Sequence, residues 1–239
     1  MKTIGLIGGM SWESTRIYYE LLNRGVQKSL GGLHSAQILL SSLDMARVAG
    51  MQNEGRWQEA AEWLAVEAVR LERAGADVIA LAANTMHKCA PRIQAAVAVP
   101  FLHIVDPLLA RLRADQRRRP LLLATRFTME ERFFLERLEA KQMMPMVPAL
   151  ADRIVLHDII YEELCKGIVS TAAVAVLQRL ATGAGKRGAD SVILGCTELG
   201  MLAGAGPVVL PAYDTAVIHA GALVEFALAD TDAWGEPKK

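Results

Sequence analysis

The residues best placed for chemistry lie where apolar runs stop. Cys196 follows the run 192–194, with Gly195 before it and Thr197-Glu198 after it. A thiol there sits at the carboxyl end of a buried strand, the edge at which ligands of open α/β sheets collect. It also faces the start of the next helix, where free N–H groups and the positive dipole end favour a thiolate below the ~8.5 of a free cysteine. A cysteine packed as a small hydrophobe fits the same spacing equally well. Asn84-Thr85 end a second run and can cap the helix that follows, either directing N–H groups at an anion or serving only as a cap. Thr125 and Thr128 follow a third run, and Gly8-Gly9-Met10-Ser11 a fourth, where glycine permits close backbone approach. These turns offer hydroxyls, amides and helix termini but no group of cationic side chains. Such a set suits a small carboxylate.

The elements that would position these residues follow from the hydropathy pattern. Apolar runs at 3–7, 36–40, 78–82, 101–105, 121–124, 192–194 and 208–210 predict strands. Between them apolar residues recur at helical spacing, as do Ile17, Tyr18, Leu21, Leu22 and Val26 within 14–30, and Ala60, Ala61, Leu64, Ala68 and Leu71 after Trp57. Nearly continuous apolar strands separated by amphipathic helices predict an α/β fold, with parallel sheets covered on both faces.

An internal echo refines this. Residues 73–85 read RAGADVIALAANT and 186–198 read KRGADSVILGCTE; aligned on Gly-Ala-Asp, Ala83 falls opposite Cys196. A weaker match sets 3–9 against 120–126, so the two offsets are about 113 and 117 residues. The reading adopted is two pseudo-symmetric lobes, each a parallel sheet flanked by helices, with the site in the cleft between them. The first lobe would span 1–105 and be completed by the last strand and helix, 208–230. The second would span 106–207, and 231–239 would form a flexible tail. One doubly wound domain with a coincidental echo is the alternative.

Composition narrows the function classes. Lysine plus arginine and aspartate plus glutamate both total 26 in 239 residues, so the formal charge is zero. That argues against nucleic-acid and membrane-surface binding, which need a concentrated basic excess. At 52% hydrophobic and 22% charged, the chain has the make-up of a folded protein, and no run approaches the ~20 residues of a membrane span. Three cysteines, Cys89, Cys165 and Cys196, make no disulfide framework and suit a reducing cytoplasm. The start lacks the form of a signal peptide. Neither the dinucleotide glycine spacing nor a complete phosphate loop is present, and the five histidines are too scattered for a metal motif. Arg117-Arg118-Arg119 reads as a solvated turn before a strand.

Several segments then resemble one family. IGLIGGMSWEST, GLHSAQILL, NTMHK at 84–88, PFLHI at 100–104, ATRFTME at 124–130, IIYEELCKG at 159–167, GCTELG at 195–200 and DTAVIHA at 214–220 are similar to the cofactor-independent aspartate/glutamate racemases, most of all to their broad-specificity amino-acid branch. The resemblance covers nearly the whole chain. It implies an isomerase that needs neither pyridoxal nor metal, acting on a small amino acid as a homodimer. Two acid/base groups would flank the substrate α-carbon, one removing a proton while the other delivers one. One is the cysteine of the GCTE segment, Cys196. The other precedes the Asn-Thr pair and is usually Cys, sometimes Thr. Gly9, Met10, Ser11, Asn84, Thr85, Thr125, Thr128, Thr197 and Glu198 would bind the carboxylate and stabilise developing charge. Arg47, in the loop with Asp44, would meet a distal carboxylate or simply be solvated, and Lys166 carries the same ambiguity.

The chain departs from this pattern where it matters most. The residue before Asn84 is Ala83, which carries no proton. Ala83 is read as a natural variation that weakens or changes the activity, against a substitution made to trap a ligand. Cys89 and Cys165 are taken as structural, and His87 as orienting the site. A one-thiol carbanion enzyme of decarboxylase type and a non-catalytic binder of small carboxylates remain the competing readings.

Overall fold

The computed structural model describes residues 1–206 and 208–229. The chain divides into two compact units, Met1–Ile104 together with the chain from His219, and Val105–Ile218.

In the first unit β1 (Ile4–Gly8) leads to α1 (Trp12–Leu30), β2 (Ile38–Ser42), α2 (Met45–Asn53), α3 (Trp57–Arg73) and β3 (Val78–Leu81). A 3-10 turn, Thr85–Cys89, and α4 (Ala90–Gln94) follow. The sheet order is β2-β1-β3, all parallel, with Ile4 opposite both Ile38 and Val78. Both β1 and β3 are buried along their whole length, which explains their unbroken apolar sequences. The α1 helix begins because the Ser11 side chain accepts from Ser14 N–H, and its buried face is Tyr18, Leu22 and Val26, each one turn apart. Ala60, Leu64, Ala68 and Leu71 of α3 enter the same core as Ile7, Ile79 and Leu81.

The second unit holds α5 (Val105–Ala114), β4 (Pro120–Leu123), α6 (Arg126–Glu130), α7 (Arg132–Glu139), α8 (Leu150–Asp158), a π-helical turn at Ile159–Glu163 and a 3-10 turn at Leu164–Lys166. Then come α9 (Thr171–Lys186), β5 (Ser191–Leu194), α10 (Leu199–Ala205) and β6 (Ala212–Asp214). Its order is β4-β5-β6, again parallel. The α11 helix (Thr215–Leu228) starts in this unit and from His219 belongs to the first.

The Gly-Ala-Asp echo is a physical device used twice. Gly75 and Gly188 stand at φ 100° and 91°, closing α3 and α9 in the left-handed region that glycine enters at low cost. Ala76 N–H reaches back to Leu71 C=O, and Ala189 N–H to Ala184 C=O. The aspartate then holds the start of the neighbouring strand. Asp77 accepts from Thr3 N–H at 2.6 Å, and Asp190 from the N–H groups of Arg118 and Arg119 at 2.7 and 2.9 Å.

Three expectations need correction. The run 208–210 is not a strand; the last strand is β6, and it pairs with β5 in the second sheet instead of returning to the first. The run 101–105 contributes only a bridge from Phe101 to Ile79, because helix α5 already begins at Val105. The stretch given to the second lobe therefore extends past 207 to Ile218, and the helix alone rejoins the first. The expected tail 231–239 lies outside the described residues.

Candidate functional site

The turn after β1 is built from two obligatory glycines. Gly9 has φ 80°, and a Cβ there would stand 2.1 Å from Leu43 O; a Cβ on Gly8 would stand 2.6 Å from Thr15 Oγ1. Thr15 Oγ1 accepts from Gly9 N–H at 2.7 Å and donates to Ser11 C=O at 3.0 Å. The Gly9 N–H and the Ser11 hydroxyl are thus engaged within the turn, Ser11 as the cap of α1. Met10 and Ser11 are buried.

At the end of β3 the ladder continues one step, with Ala82 N–H donating to Ile7 C=O. In the other sheet Gly195 N–H donates to Leu123 C=O, and Leu123 pairs with Leu194 as Ile7 pairs with Leu81. Ala82 and Gly195 therefore occupy equivalent ladder positions, and so do the residues that follow, Ala83 and Cys196. The Gly-Ala-Asp echo is thus matched in the ladder, whereas the weaker match of 3–9 with 120–126 is one residue out, since Ile4 stands where Pro120 does and Ile7 where Leu123 does.

Below Ala83 the backbone is held by histidine. His87 Nδ1 lies 2.7 Å from Ala83 O, a pure acceptor, so Nδ1 carries the proton; Nε2 is then free to accept from Ile104 N–H at 3.1 Å. His219 is the reverse tautomer: its Nε2–H donates to Leu102 C=O at 2.9 Å, and Nδ1 accepts from Tyr18 Oη at 2.8 Å. The His87 ring stacks edge-on against His103 with centroids 4.5 Å apart. Burial, aided by His103 and His219, holds His87 well below the usual histidine range, and it stays neutral. His87 thus ties the Ala83 carbonyl to the Ile104 backbone N–H. Asn84 and Thr85 are buried, but the expected helix cap is not formed: Asn84 makes no side-chain cap bond, the chain enters a 3-10 turn at Thr85, and α4 begins only at Ala90.

In the second unit Thr125 caps α6, accepting from Thr128 N–H, and the two hydroxyls lie 3.2 Å apart. Thr128 is fully buried. Cys196 ends β5 after Gly195, where any Cβ would collide with Leu122 Cδ1 at 2.8 Å. The Cys196 thiol donates to Glu198 Oε2 at 2.9 Å, and Thr197 Oγ1 donates to the same oxygen at 2.6 Å. The Cys165 thiol donates to the other oxygen, Oε1, at 3.6 Å. Two thiols thus share one buried carboxylate. Burial and then the Glu198 charge push the Cys196 thiol well above the ordinary range. That corrects the expectation of a dipole-lowered thiol: α10 begins only at Leu199, and the nearest charge is negative, not positive. The Tyr161 hydroxyl is also driven up, by burial and by Cys196 and Cys165.

Cys165 and Tyr161 are what the sequence reading missed. Their signal was the IIYEELCKG segment, whose π-helical turn ends just before Leu164-Cys165. Other candidates are engaged elsewhere. Arg47 is exposed, with its guanidinium 4.0 Å from the Trp63 ring centre, and Asp44 caps α2. Lys166 pairs with Glu162, and Cys89 is buried in the core of its unit. Among the described residues no group of three or more His, Cys, Asp or Glu side chains is arranged to hold a metal, and no helix is long and apolar enough to cross a membrane.

Comparison with known proteins gives the same direction. The Asp/Glu/Hydantoin racemase family model matches residues 7–223. A candidate Asp/Glu racemase from Yersinia pestis is similar over 95% of this chain and 100% of its own, at 43% identity and a TM-score of 0.88. An aspartate racemase homologue from Pyrococcus horikoshii is 33% identical over 95% of this chain and 99% of its own, with a TM-score of 0.82. Glutamate racemase from Francisella tularensis, solved with D-glutamate, shares the fold at 16% identity, with a TM-score of 0.69 over 100% of this chain and 84% of its own. With the ladder, the strand-end turns and the buried thiol in place, the chain belongs to the Asp/Glu/Hydantoin racemase family.

Proposed function

We propose that this chain acts on the α-carbon of aspartate, glutamate or a related small amino acid through Cys196 as acid/base, without pyridoxal or metal, and that Ala83 leaves it impaired as a racemase. The observation that carries the reading is the ladder equivalence of Ala83 and Cys196. One position bears a thiol beside a carboxylate; the other bears a methyl group.

The chemistry follows from that pair. In its thiolate form Cys196 takes the α-proton, becoming a thiol while the electron pair remains on the substrate as a carbanion. Once the thiol hydrogen has exchanged with solvent, the same thiol delivers a solvent-derived proton to the same face, which exchanges hydrogen without inverting the centre. Inversion needs a donor on the opposite face, and Ala83 is none. Glu198 serves as acceptor for the Cys196 proton and as anchor for the substrate ammonium, whose charge would relieve the upward pressure on the thiol. Thr197 fixes that carboxylate, and Asn84, Thr85 and Thr125 contribute amides and hydroxyls to carboxylate binding. A homodimer in a reducing compartment completes the reading.

The same alanine favours one alternative, one-face carbanion chemistry of the decarboxylase kind. The test for the thiol is Cys196→Ser assayed by α-proton exchange in deuterated water with each enantiomer of aspartate and glutamate. Loss of exchange by about 10²-fold or more is expected for a removed acid/base. Exchange that persists in the variant would exclude Cys196. A decarboxylase would instead release carbon dioxide from the unmodified chain.

A further inference from the structure

The arginine run 117–119 plays no part in the chemistry above, yet the structure does not leave it as a plain surface turn. Arg117 and Arg118 line a recess of about 470 Å³ in the second unit, within the ~300–1,000 Å³ of small-molecule sites. Arg113 at the end of α5 and Lys141 just after α7 complete its cationic wall, and none of its lining residues is acidic. Among the described residues no carboxylate pairs with the side chains of Arg113, Arg118 or Lys141, and Arg113 donates only to the Lys141 carbonyl at 3.1 Å. The nearby acids are already engaged. Asp115 pairs with Arg111 and accepts from Tyr213 Oη, while Asp190 binds the backbone N–H groups of Arg118 and Arg119. Asp115 and Asp190 offset the charge of Arg117, and the helix C-termini before Gln116 and Gln142 carry about half a negative charge each, short of the three cations Arg113, Arg118 and Lys141.

Two further observations point to a ligand. The Arg117 guanidinium bonds the Tyr213 hydroxyl and feels the charges of Asp115 and Asp190, yet its Nε is buried and has no hydrogen-bond partner among the described residues, an arrangement that native proteins rarely leave without an acceptor. The non-glycine residues at positive φ among those described are Gln116 at 57° and Gln142 at 65°, and both line the recess. Each occupies the left-handed position after its helix: Gln116 N–H donates to Arg113 C=O and Gln142 N–H to Glu139 C=O. At the equivalent ends of α3 and α9 the chain uses Gly75 and Gly188, the residue that adopts this conformation at least cost. Keeping two amide side chains where glycine would be cheaper puts extra donors beside the four cations.

We propose that this recess binds a small polyanion carrying two phosphoryl groups. Arginine forks match phosphoryl oxygens in pairs, and the glutamine amides add neutral donors. The lining has no aromatic ring to stack a base, and Met143 is its only apolar residue, so the ligand is a pyrophosphate or bisphosphate and not a nucleotide. The recess lies at the amino-terminal end of β4, opposite the end of the sheet that bears Cys196. Four residues of strand separate the two ends, about 13 Å, so it is a second site distinct from the thiol.

The experiment is calorimetric titration of the full chain with pyrophosphate, inorganic phosphate and citrate, at about 50 and 150 mM salt. The expected result is saturable binding of one pyrophosphate per chain, about tenfold tighter than phosphate and weaker at the higher salt. Arg113→Ala combined with Lys141→Ala should weaken it about tenfold or more, with circular dichroism and the rate of Cys196 alkylation unchanged. Lys141→Glu alone, a single exposed change, should act the same way. Absence of saturable pyrophosphate binding, or binding unaffected in both variants, would overturn the site. Citrate binding as tightly as pyrophosphate would overturn its phosphoryl preference.

Discussion

Placing an acid/base group at position 83, where the proposed mechanism lacks one, is the perturbation with the largest calculable effect. Ala83→Cys adds one sulfur atom to a residue that is 7% exposed, without touching the backbone atoms that hold the turn. His87 binds the Ala83 carbonyl and the ladder uses Ala82 N–H, and both survive a side-chain change. Crowding would cost about 1–3 kcal/mol, which a domain of ~5–15 kcal/mol stability tolerates. A positioned acid or base contributes about 10²–10⁴-fold, or about 3–5 kcal/mol of barrier. The expected outcome is therefore a gain of about a hundredfold or more in the rate of inversion for one amino acid among aspartate, glutamate and their relatives, the lower end of that range. Polarimetry from each enantiomer is the assay, with melting temperature as the control for folding. Ala83→Thr should give a smaller gain, and adding Cys196→Ser should abolish either. A folded Ala83→Cys protein that exchanges the α-proton yet inverts no faster than the unmodified chain would refute the assignment of position 83.

Two further outcomes follow from the charged and buried groups. Glu198→Gln removes the charge that, after burial, raises the Cys196 thiol, so the pH profile of its alkylation should move down by about one unit or more; an unmoved profile would show that Glu198 does not govern the thiol. His87 is held neutral in the folded state, so below about pH 6.5 only the unfolded chain takes up its proton. Its contribution is complete above that pH and is lost as pH falls, by about 1.4 kcal/mol per unit once well below it. Urea midpoints should fall between neutral pH and about pH 5, and the fall should be shallower in His87→Gln; equal slopes would exclude this histidine as the cause.

Local devices were readable from the amino acids, and long-range convergence was not. The Gly-Ala-Asp turns announced themselves because a left-handed glycine, a buried strand and a strand-latching aspartate are all contiguous in sequence. The alignment of Ala83 with Cys196 followed from the same contiguity. By contrast, 208–210 has a strand's composition, while the pairing that selects Ala212–Asp214 is made with β5, about twenty residues earlier. The rise in the Cys196 pKa was equally hidden. Helix position could be inferred from spacing, but burial and the direction of the Glu198 side chain could not. Cys165 reaches Glu198 across 33 positions of sequence, by way of a π-helical turn that no simple period predicts.

The central claim is that one competent acid/base group, Cys196, serves one face of the α-carbon while residue 83 serves none. The direct measurement is the ratio of α-proton exchange to inversion in the unmodified chain, followed by proton NMR and optical rotation on one sample in deuterated water. The account predicts exchange that exceeds inversion by about 10² or more, the worth of the missing group. Exchange and inversion proceeding at comparable rates would contradict it, because a second proton carrier would then be acting without any side chain at position 83 to provide it.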